Sequence, residues 1–363
     1  MKKIRLKLQE RSYDIIVGRG AAGELSGIVK KMRFSGPIAV ITDRVVEKKT
    51  RSVYKKALDA VTNELTVITV PSGEKSKSVD MFRDVSQKLA NRTKGHKPLI
   101  VALGGGVIGD LAGFVASSYR RGVPYIQVPT TLLAQVDSSV GGKVGIDLPE
   151  AKNLVGAFYQ PKAVLVDTGF LPTLPARHIR NGMAEVIKYG IIKKRSFFAL
   201  LEDEMERLLE LKSERLDDVV YECLRIKARL VEKDERDDKD LRIALNFGHT
   251  LGHGIEAAAE YTNRYNHGEC VSIGMVMASD IAVRLGMFSE KGLLKVKRLL
   301  KKAGLPVSVK GIGLKDILRT HRFDKKFVSG TNRFVLPTGI GKVEVVEDIP
   351  GILIRTVLRE YVS

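Results

Sequence analysis

The sequence contains no tryptophan, and aromatic residues make up only 6% of its 363 positions. Platforms on which the bases of a single-stranded nucleic acid would stack are therefore scarce. Cysteine is nearly absent too, with Cys223 and Cys270 far apart in the chain. That excludes a disulfide scaffold and a CxxC redox pair, and isolated thiols suit a reducing, cytoplasmic setting. No stretch approaches the ~20 uninterrupted apolar residues that a membrane helix needs. The opening residues, MKKIRLKLQERSYDIIVG, are basic but lack the apolar core of a signal peptide. Internal repeats and low-complexity segments are missing. So are two signatures, GxxxxGK followed by Ser or Thr and HExxH, while the glycine loop at 104–110 reads GGGxxGD.

What is present reads as an ordinary globular protein. The 44% apolar and 28% charged residues argue against disorder, and the length suggests two domains. Lys and Arg number 61 against 42 Asp and Glu, a formal balance of +19 that invites a nucleic-acid reading. The densest basic run, 295–302, nevertheless keeps helical spacing, with Leu294, Leu299 and Leu300 expected on its apolar side. That is the pattern of an amphipathic helix with a solvated face. A small anionic substrate is the expected partner, with neither nucleic acid nor membrane.

The first ~170 residues alternate β-rich and helical runs, the pattern of a sheet with crossover helices. Strands are expected at 37–42, 65–70, 99–103, 125–128 and 163–167, and a helix at 78–92 from the spacing of Val79, Phe82, Val85 and Leu89. After Pro172 and Pro175 the texture becomes helical over 178–233 and 249–303, before β-rich segments return at 333–337 and 342–347. The expected fold is α/β: a Rossmann-like nucleotide-binding domain over 1–172, then a mainly α-helical metal-binding domain over 173–363.

Three glycines, Gly104, Gly105 and Gly106, join the strand at 99–103 to a helix expected to begin near Val107. Glycines there permit positive φ and a close approach of backbone to a ligand. The following helix N-terminus favours a pyrophosphate. Other expected strands also end in polar groups: Asp43, Glu74 and Lys77 in PSGEKSK, and Thr130 and Thr131. Ligands of open α/β sheets bind outside the carboxyl ends of the strands, so these ends together point to a nucleotide. Beyond them, DSSVGGK (Asp137 to Lys143) and the pair Lys152 and Asn153 offer a glycine turn and lysines suited to a phosphate.

Of six histidines, His249, His253 and His267 fall within nineteen residues. His249 and His253, four apart, share one helix face. With a carboxylate such as Glu185 on an earlier helix, two of the three would make the open, catalytic type of zinc site. Spacing alone leaves open which two.

Taken together, LGGGVIGDLAGFVASSYRRG, VPTTLLAQVDSSVGGKVGID, KNLVGAFYQPKAVLVDT, GMAEVIKYG, LNFGHTLGHGIE and HGECVSIGM resemble the signature blocks of the 3-dehydroquinate synthase family, in order over about residues 37–340. The resemblance implies an NAD+- and divalent-metal-dependent lyase of the shikimate pathway, with Zn2+ or Co2+ as the metal. Such an enzyme converts 3-deoxy-D-arabino-heptulosonate 7-phosphate to 3-dehydroquinate and phosphate. The steps are transient oxidation at C5, phosphate elimination, reduction and intramolecular aldol closure.

Carried over residue by residue, the resemblance implies Glu185, His249 and His267 as metal ligands. Asp43, Glu74, Lys77, Gly105, Gly106, Val107, Asp110, Thr130, Thr131, Lys143 and Lys152 fall at cofactor positions. Asp137, Lys143, Lys152, Asn153, Lys188, Lys227, Arg242, Asn246, His253, Lys325 and Lys326 fall at substrate positions. Among these, Asp137, Lys143, Lys188, Arg242, Asn246 and His253 are the expected catalytic set. Arg121 matches an arginine that reaches a neighbouring subunit's site, which implies a homodimer. One stretch departs from the pattern: 234–242, DERDDKDLR, is one residue longer than in the family, with Asp237 where Glu is expected. The alternatives are another sugar-phosphate cyclase, of aminodehydroquinate or valiolone type, or a metal-dependent polyol dehydrogenase.

Overall fold

Each of the five apolar runs forms a strand, and together they make most of the parallel part of a seven-stranded sheet in the computed structural model, which describes residues 1–62, 64–259, 264–319 and 332–363. In chain order the strands of this sheet are β1 (Lys2–Leu6), β2 (Tyr13–Val17), β3 (Ile38–Asp43), β4 (Leu65–Val70), β5 (Leu99–Gly104), β6 (Tyr125–Pro129) and β9 (Ala163–Val166), and their spatial order is β1-β2-β9-β6-β5-β3-β4. Only β1 and β2 are antiparallel. The helices are α1 (Leu25–Lys31), α2 (Arg44–Asp59), α3 (Val79–Arg92) and α4 (Gly106–Ser118).

Both faces of the sheet are covered, which is why its strands read as continuous apolar runs. Alternation along β5 sorts the side chains: Leu99, Val101 and Leu103 join one core with Leu58 of α2, while Ile100 and Ala102 join the other with Leu89 of α3 and Leu111 of α4. The chain leaves β3 for β4 on one side and returns through α3 to β5 on the other, since β3 pairs with both. That reversal is the topological switch point where doubly wound sheets bind ligands.

Two contact clusters divide the chain. The first takes Met1–Pro175 together with Glu214–Arg236, and the second takes Ala176–Ser213 with Asp237–Ser363. A division into consecutive stretches at 172/173 puts α7 (Leu216–Lys233) in the second, whereas its packing puts it in the first. There it is fastened by Lys227, whose Nζ donates to the backbone oxygen and to Oδ1 of Asp137, each at 2.6 Å. The first unit also carries a hairpin of β7 (Lys143–Leu148) and β8 (Ala151–Phe158). A Cβ at Gly113 of α4 would stand 2.4 Å from Val144, so glycine there is what lets α4 lie against this hairpin.

The second unit is mainly helical: α5 (Ala176–Lys193), α6 (Arg195–Leu209), α8 (His249–Ala259), α9 (His267–Arg284), α10 (Glu290–Lys302), α11 (Leu314–Arg319) and α12 (Gly351–Tyr361), with a small antiparallel pair, β10 (Arg333–Gly339) and β11 (Lys342–Glu347). In α10 the buried side is Leu293, Val296, Leu299 and Leu300, whereas Leu294 is half-exposed. The apolar stripe therefore begins at Leu293, one position earlier than expected, and Leu294 shares the solvated side with the lysines. No helix among the described residues is long and apolar enough to cross a membrane.

Candidate active site

In the first unit, four adjacent strands end side by side in polar groups. Asp43 closes β3 and caps α2: its Oδ1 accepts from the amides of Val45 (2.8 Å) and Val46 (3.0 Å) and from Ser72 Oγ (2.8 Å). An N-cap of this kind is worth about 1 kcal/mol to the helix, and with all three bonds on Oδ1 the other oxygen is left for a ligand.

The glycine loop works differently from the sequence expectation. None of Gly104, Gly105 and Gly106 has a positive φ. Their value lies in closeness: a Cβ on Gly105 would meet Thr131 Cγ2 at 3.0 Å, and one on Gly106 would meet Ser138 Oγ at 3.2 Å. The Thr130 amide donates to the Gly104 oxygen at 2.9 Å, tying the end of β6 to this loop. Thr130 Oγ1 and Ser138 Oγ are buried without a hydrogen-bond partner. Orphaned hydroxyls beside a bare backbone cradle and a helix N-terminus fit a phosphate-bearing ligand such as a dinucleotide.

One turn into α4, Asp110 meets Lys77 Nζ at 2.7 Å, and that ammonium also binds Asn153 Oδ1 and lies 3.9 Å from Asp147. Burial raises the Asp110 carboxyl, with Lys77 opposing. Burial would lower Lys77, but the carboxylates of Asp110, Glu74 and Asp147 together outweigh it and raise the ammonium. Asp147 in turn accepts from the Asn153 amide at 2.7 Å, holding that residue at φ +55°. Lys77 thus joins the helix after the glycine loop to the hairpin that presents Lys143, Lys152 and Asn153. Glu74 is exposed, as is Lys143, which opens β7 after Gly141 and Gly142, both at positive φ. Arg120 and Arg121 are also exposed, at φ +48° and +63°, followed by Gly122 at +110°. Consecutive left-handed non-glycine residues are costly and cluster where function holds them.

In the second unit, α5 builds the other centre. Residues four apart on one face of α5 grip the start of α9: Arg177 pairs with both oxygens of Glu269 (3.1 and 2.8 Å), and Asn181 Oδ1 accepts the Gly268 amide (2.6 Å). The third, Glu185, brings Oε1 to 3.5 Å from His267 Nε2. Asn266 and Glu269 close a capping box over the same turn. On α8, His249 Nε2 also lies 3.5 Å from Glu185 Oε1.

The ring tautomers are set from behind. His249 Nδ1 sits 3.1 Å from the Phe247 oxygen, and His267 Nδ1 sits 3.1 Å from Glu256 Oε2. Both acceptors take a proton from Nδ1, leaving each Nε2 aimed at Glu185. Glu185 is fully buried, and its Oε1 has no hydrogen-bond partner. Tetrahedral bonds of ~2.1 Å place ligand atoms about 3.4 Å apart, so the two 3.5 Å separations match a four-coordinate divalent ion. Glu185, His249 and His267 form one metal-capable group; His253, Glu256 and His267 form a second, less buried one.

Charge follows from this packing. Burial would raise the Glu185 carboxyl, but the Lys188 ammonium against Oε2 and the two imidazoles hold it well below the usual range. Burial, reinforced by Lys188, pushes His249 down to about 3. Burial would lower His267 too, yet the carboxylates of Glu185 and Glu256 lift it to about 10. His253 lies nearby, its ring centroid 5.2 Å from that of His249 and 6.2 Å from that of His267.

Arg242 is buried, just ahead of a single 3-10 turn that ends in the exposed Asn246. Asp237 is exposed at φ +58° in the longer loop, apart from the metal-capable groups. Lys325 and Lys326 lie outside the described residues. Glu256 and Asp147 escaped the sequence reading. Glu256 was visible there as the residue seven after His249, on the same helical face.

A Rossmann-like α/β unit and a helical unit carrying a metal-capable group of two histidines and a glutamate define a class of two-domain enzymes that use a nucleotide cofactor and a divalent metal. Within it, the family models for the N-terminal and C-terminal parts of 3-dehydroquinate synthase match residues 67–181 and 182–327, and the chain belongs to the 3-dehydroquinate synthase family. It is 42% identical over 363 residues to the 3-dehydroquinate synthase of Acidithiobacillus ferrooxidans, covering 100% of this chain and 99% of that one. Identity to the enzyme of Caldanaerobacter subterraneus is 44% over 351 residues, covering 95% and 97%. Among solved structures, 2-epi-5-epi-valiolone synthase from Streptomyces hygroscopicus, with NAD+ and Zn2+ bound, superposes with a TM-score of 0.86 at 28% identity, covering 98% of each chain.

Proposed function

We propose that this chain converts 3-deoxy-D-arabino-heptulosonate 7-phosphate to 3-dehydroquinate and phosphate, the second step of the shikimate pathway. The observation that carries this reading is the end-to-end likeness to 3-dehydroquinate synthases, joined to a Glu185–His249–His267 cluster of the right donor chemistry. NAD+ and one divalent ion, Zn2+ or Co2+, are the cofactors, as the valiolone synthase with both bound supports. When bound, NAD+ takes and returns a hydride at C5, and the ion withdraws charge from substrate oxygens.

The chain's own residues supply the rest. Asp43 Oδ2 accepts from ribose hydroxyls, while the backbone amides of Gly105, Gly106 and Val107 face the pyrophosphate. Thr130 and Thr131 add hydroxyl donors, and Glu74, Lys77, Asp110, Lys143 and Lys152 complete the cofactor contacts. Lys143, Lys152, Asn153 and Asn246 hold the phosphate, so that elimination depends on its placement. Arg242 binds the substrate carboxylate. Lys227, locked to Asp137, serves better as the group that orients Asp137 than as a direct carboxylate partner. Lys188, His253 and Asp137 position hydroxyls and move protons.

The test is to supply the heptulosonate phosphate and NAD+ and follow phosphate release with and without chelator. The expected result is chelator-sensitive release with no net NADH. Net NADH would indicate a polyol dehydrogenase, and turnover only of sedoheptulose 7-phosphate a valiolone-type cyclase; either would overturn the reading.

A homodimer belongs to this proposal, because Arg121 stands where the family resemblance implies an arginine that reaches a neighbouring subunit's site, and it is exposed. Arg121→Ala is expected to lower activity, and mixing it with a subunit disabled at His249 should restore part of the loss. Mixed dimers that stay as inactive as either parent would argue against sharing. A cytoplasmic location is in keeping with Cys223 and Cys270, which are both buried and form no disulfide.

A further inference from the structure

We propose that Glu256 is a positioning residue for the metal ligand His267, an inference that rests on the metal reading above and adds a residue to it. His267 is the first residue of α9, where a side chain has few neighbours of its own helix to fix its ring. Its Nδ1–H donates to Glu256 Oε2 at 3.1 Å. A carboxylate only accepts, so this bond selects the tautomer that leaves Nε2 as a donor atom, 3.5 Å from Glu185 Oε1. Glu256 is half-buried in the middle of α8, whose first residue is the other imidazole ligand, His249. One helix thus supplies a ligand directly and braces the second ligand from behind. His249 obtains the same bracing from the Phe247 backbone oxygen, which no substitution of a side chain removes. Glu256 is therefore the point at which the orientation of a ligand is open to mutation without touching the ligand.

The Glu256–His267 pair also belongs to the second metal-capable group, with His253. In the braced arrangement His267 Nδ1 is protonated, so it is not available to an ion in that group. Glu256 then acts on the metal through His267 and does not bind it.

The experiment is Co2+ titration of the metal-free full chain, read by visible absorption, for the wild type, Glu256→Ala and Glu256→Gln. Loss of such outer partners weakens metal affinity by about 10- to 100-fold. Glu256→Ala is expected to fall in that range, with band intensities that keep the wild-type coordination number and an unchanged unfolding midpoint of the metal-free protein. Glu256→Gln keeps an acceptor oxygen and should lie between the two, and it carries the test alone if the alanine variant does not fold. Affinity within twofold of wild type in both variants would overturn the proposal. So would a changed coordination number, which would make Glu256 a ligand. A lower unfolding midpoint with unchanged affinity would mark the role as structural and likewise overturn it. A wild-type protein that binds no Co2+ would overturn the metal reading, and this inference with it.

Discussion

His249→Ala is expected to strip the protein of its divalent ion and lower phosphate release more than a hundredfold, even in metal-replete buffer. The imidazole Nε2 is one of the three donor atoms that face one another in the centre among the described residues, and the Phe247 oxygen fixes its direction. Outer partners alone account for about 10- to 100-fold in affinity, so a direct ligand exceeds that. Removing it also leaves Glu185 Oε1 buried against a cavity, with Lys188 and His267 still beside the carboxylate. His253→Ala is the control: its ring lies near those of His249 and His267 but is not part of their group with Glu185, so that variant should keep its ion while losing part of its turnover. Metal content by atomic absorption and phosphate release on the same preparations decide the matter. A His249→Ala protein that retains one ion per chain and full activity would remove this residue from the ligand set.

The second large effect needs no ligand at all. Gly274→Ala should destabilise the chain by about 3 kcal/mol or more, the upper end of what overpacking costs. A Cβ there would lie 1.9 Å from the Gly248 oxygen and 2.8 Å from the Gly252 amide nitrogen. Both obstacles are backbone, so no side chain can swing away to make room. Gly252 faces Cys270 with similar intimacy, its Cβ falling 3.0 Å from that residue's oxygen. Glycines thus let α8 and α9 touch backbone to backbone, and that contact sets His249 and His267 at a common distance from Glu185. Gly23→Ala, where a new Cβ meets nothing within 4 Å, is the neutral comparison. Equal denaturant midpoints for the two variants would refute the argument.

Much of the parallel sheet was legible because burial on both faces leaves long β-branched runs, and β3, β4, β5, β6 and β9 lie within a residue or two of the expected spans. The hairpin of β1 and β2 was missed although Lys3, Ile4, Arg5 and Leu6 alternate with the period of a half-exposed strand; the run is short, and its basic residues drew a reading of the segment as a possible leader instead. The β7–β8 hairpin was hidden for another reason: Gly145 and Gly156 face each other across it, where a Cβ would strike backbone at 2.6 or 2.4 Å, and such glycines read as turns. Site chemistry was legible where a motif fixed a residue type, as at Glu185 and His249. It was not legible where a residue acts through another. Glu256 and Asp147 each close one of the signature blocks, yet their roles are defined by what they hold in space, His267 and Asn153.

The excursion of the chain through Ala176–Ser213 before it returns as α7 has a consequence for biosynthesis. As the protein emerges from the ribosome, all seven strands of the sheet are available once Val166 is out, yet the first unit still lacks the helix that Asp137 binds through Lys227. About sixty further residues, including the whole of α5 with Glu185, must be made first. The order of synthesis therefore delivers Glu185 of the metal-capable group before the first unit is complete, and His267 of that group only after it.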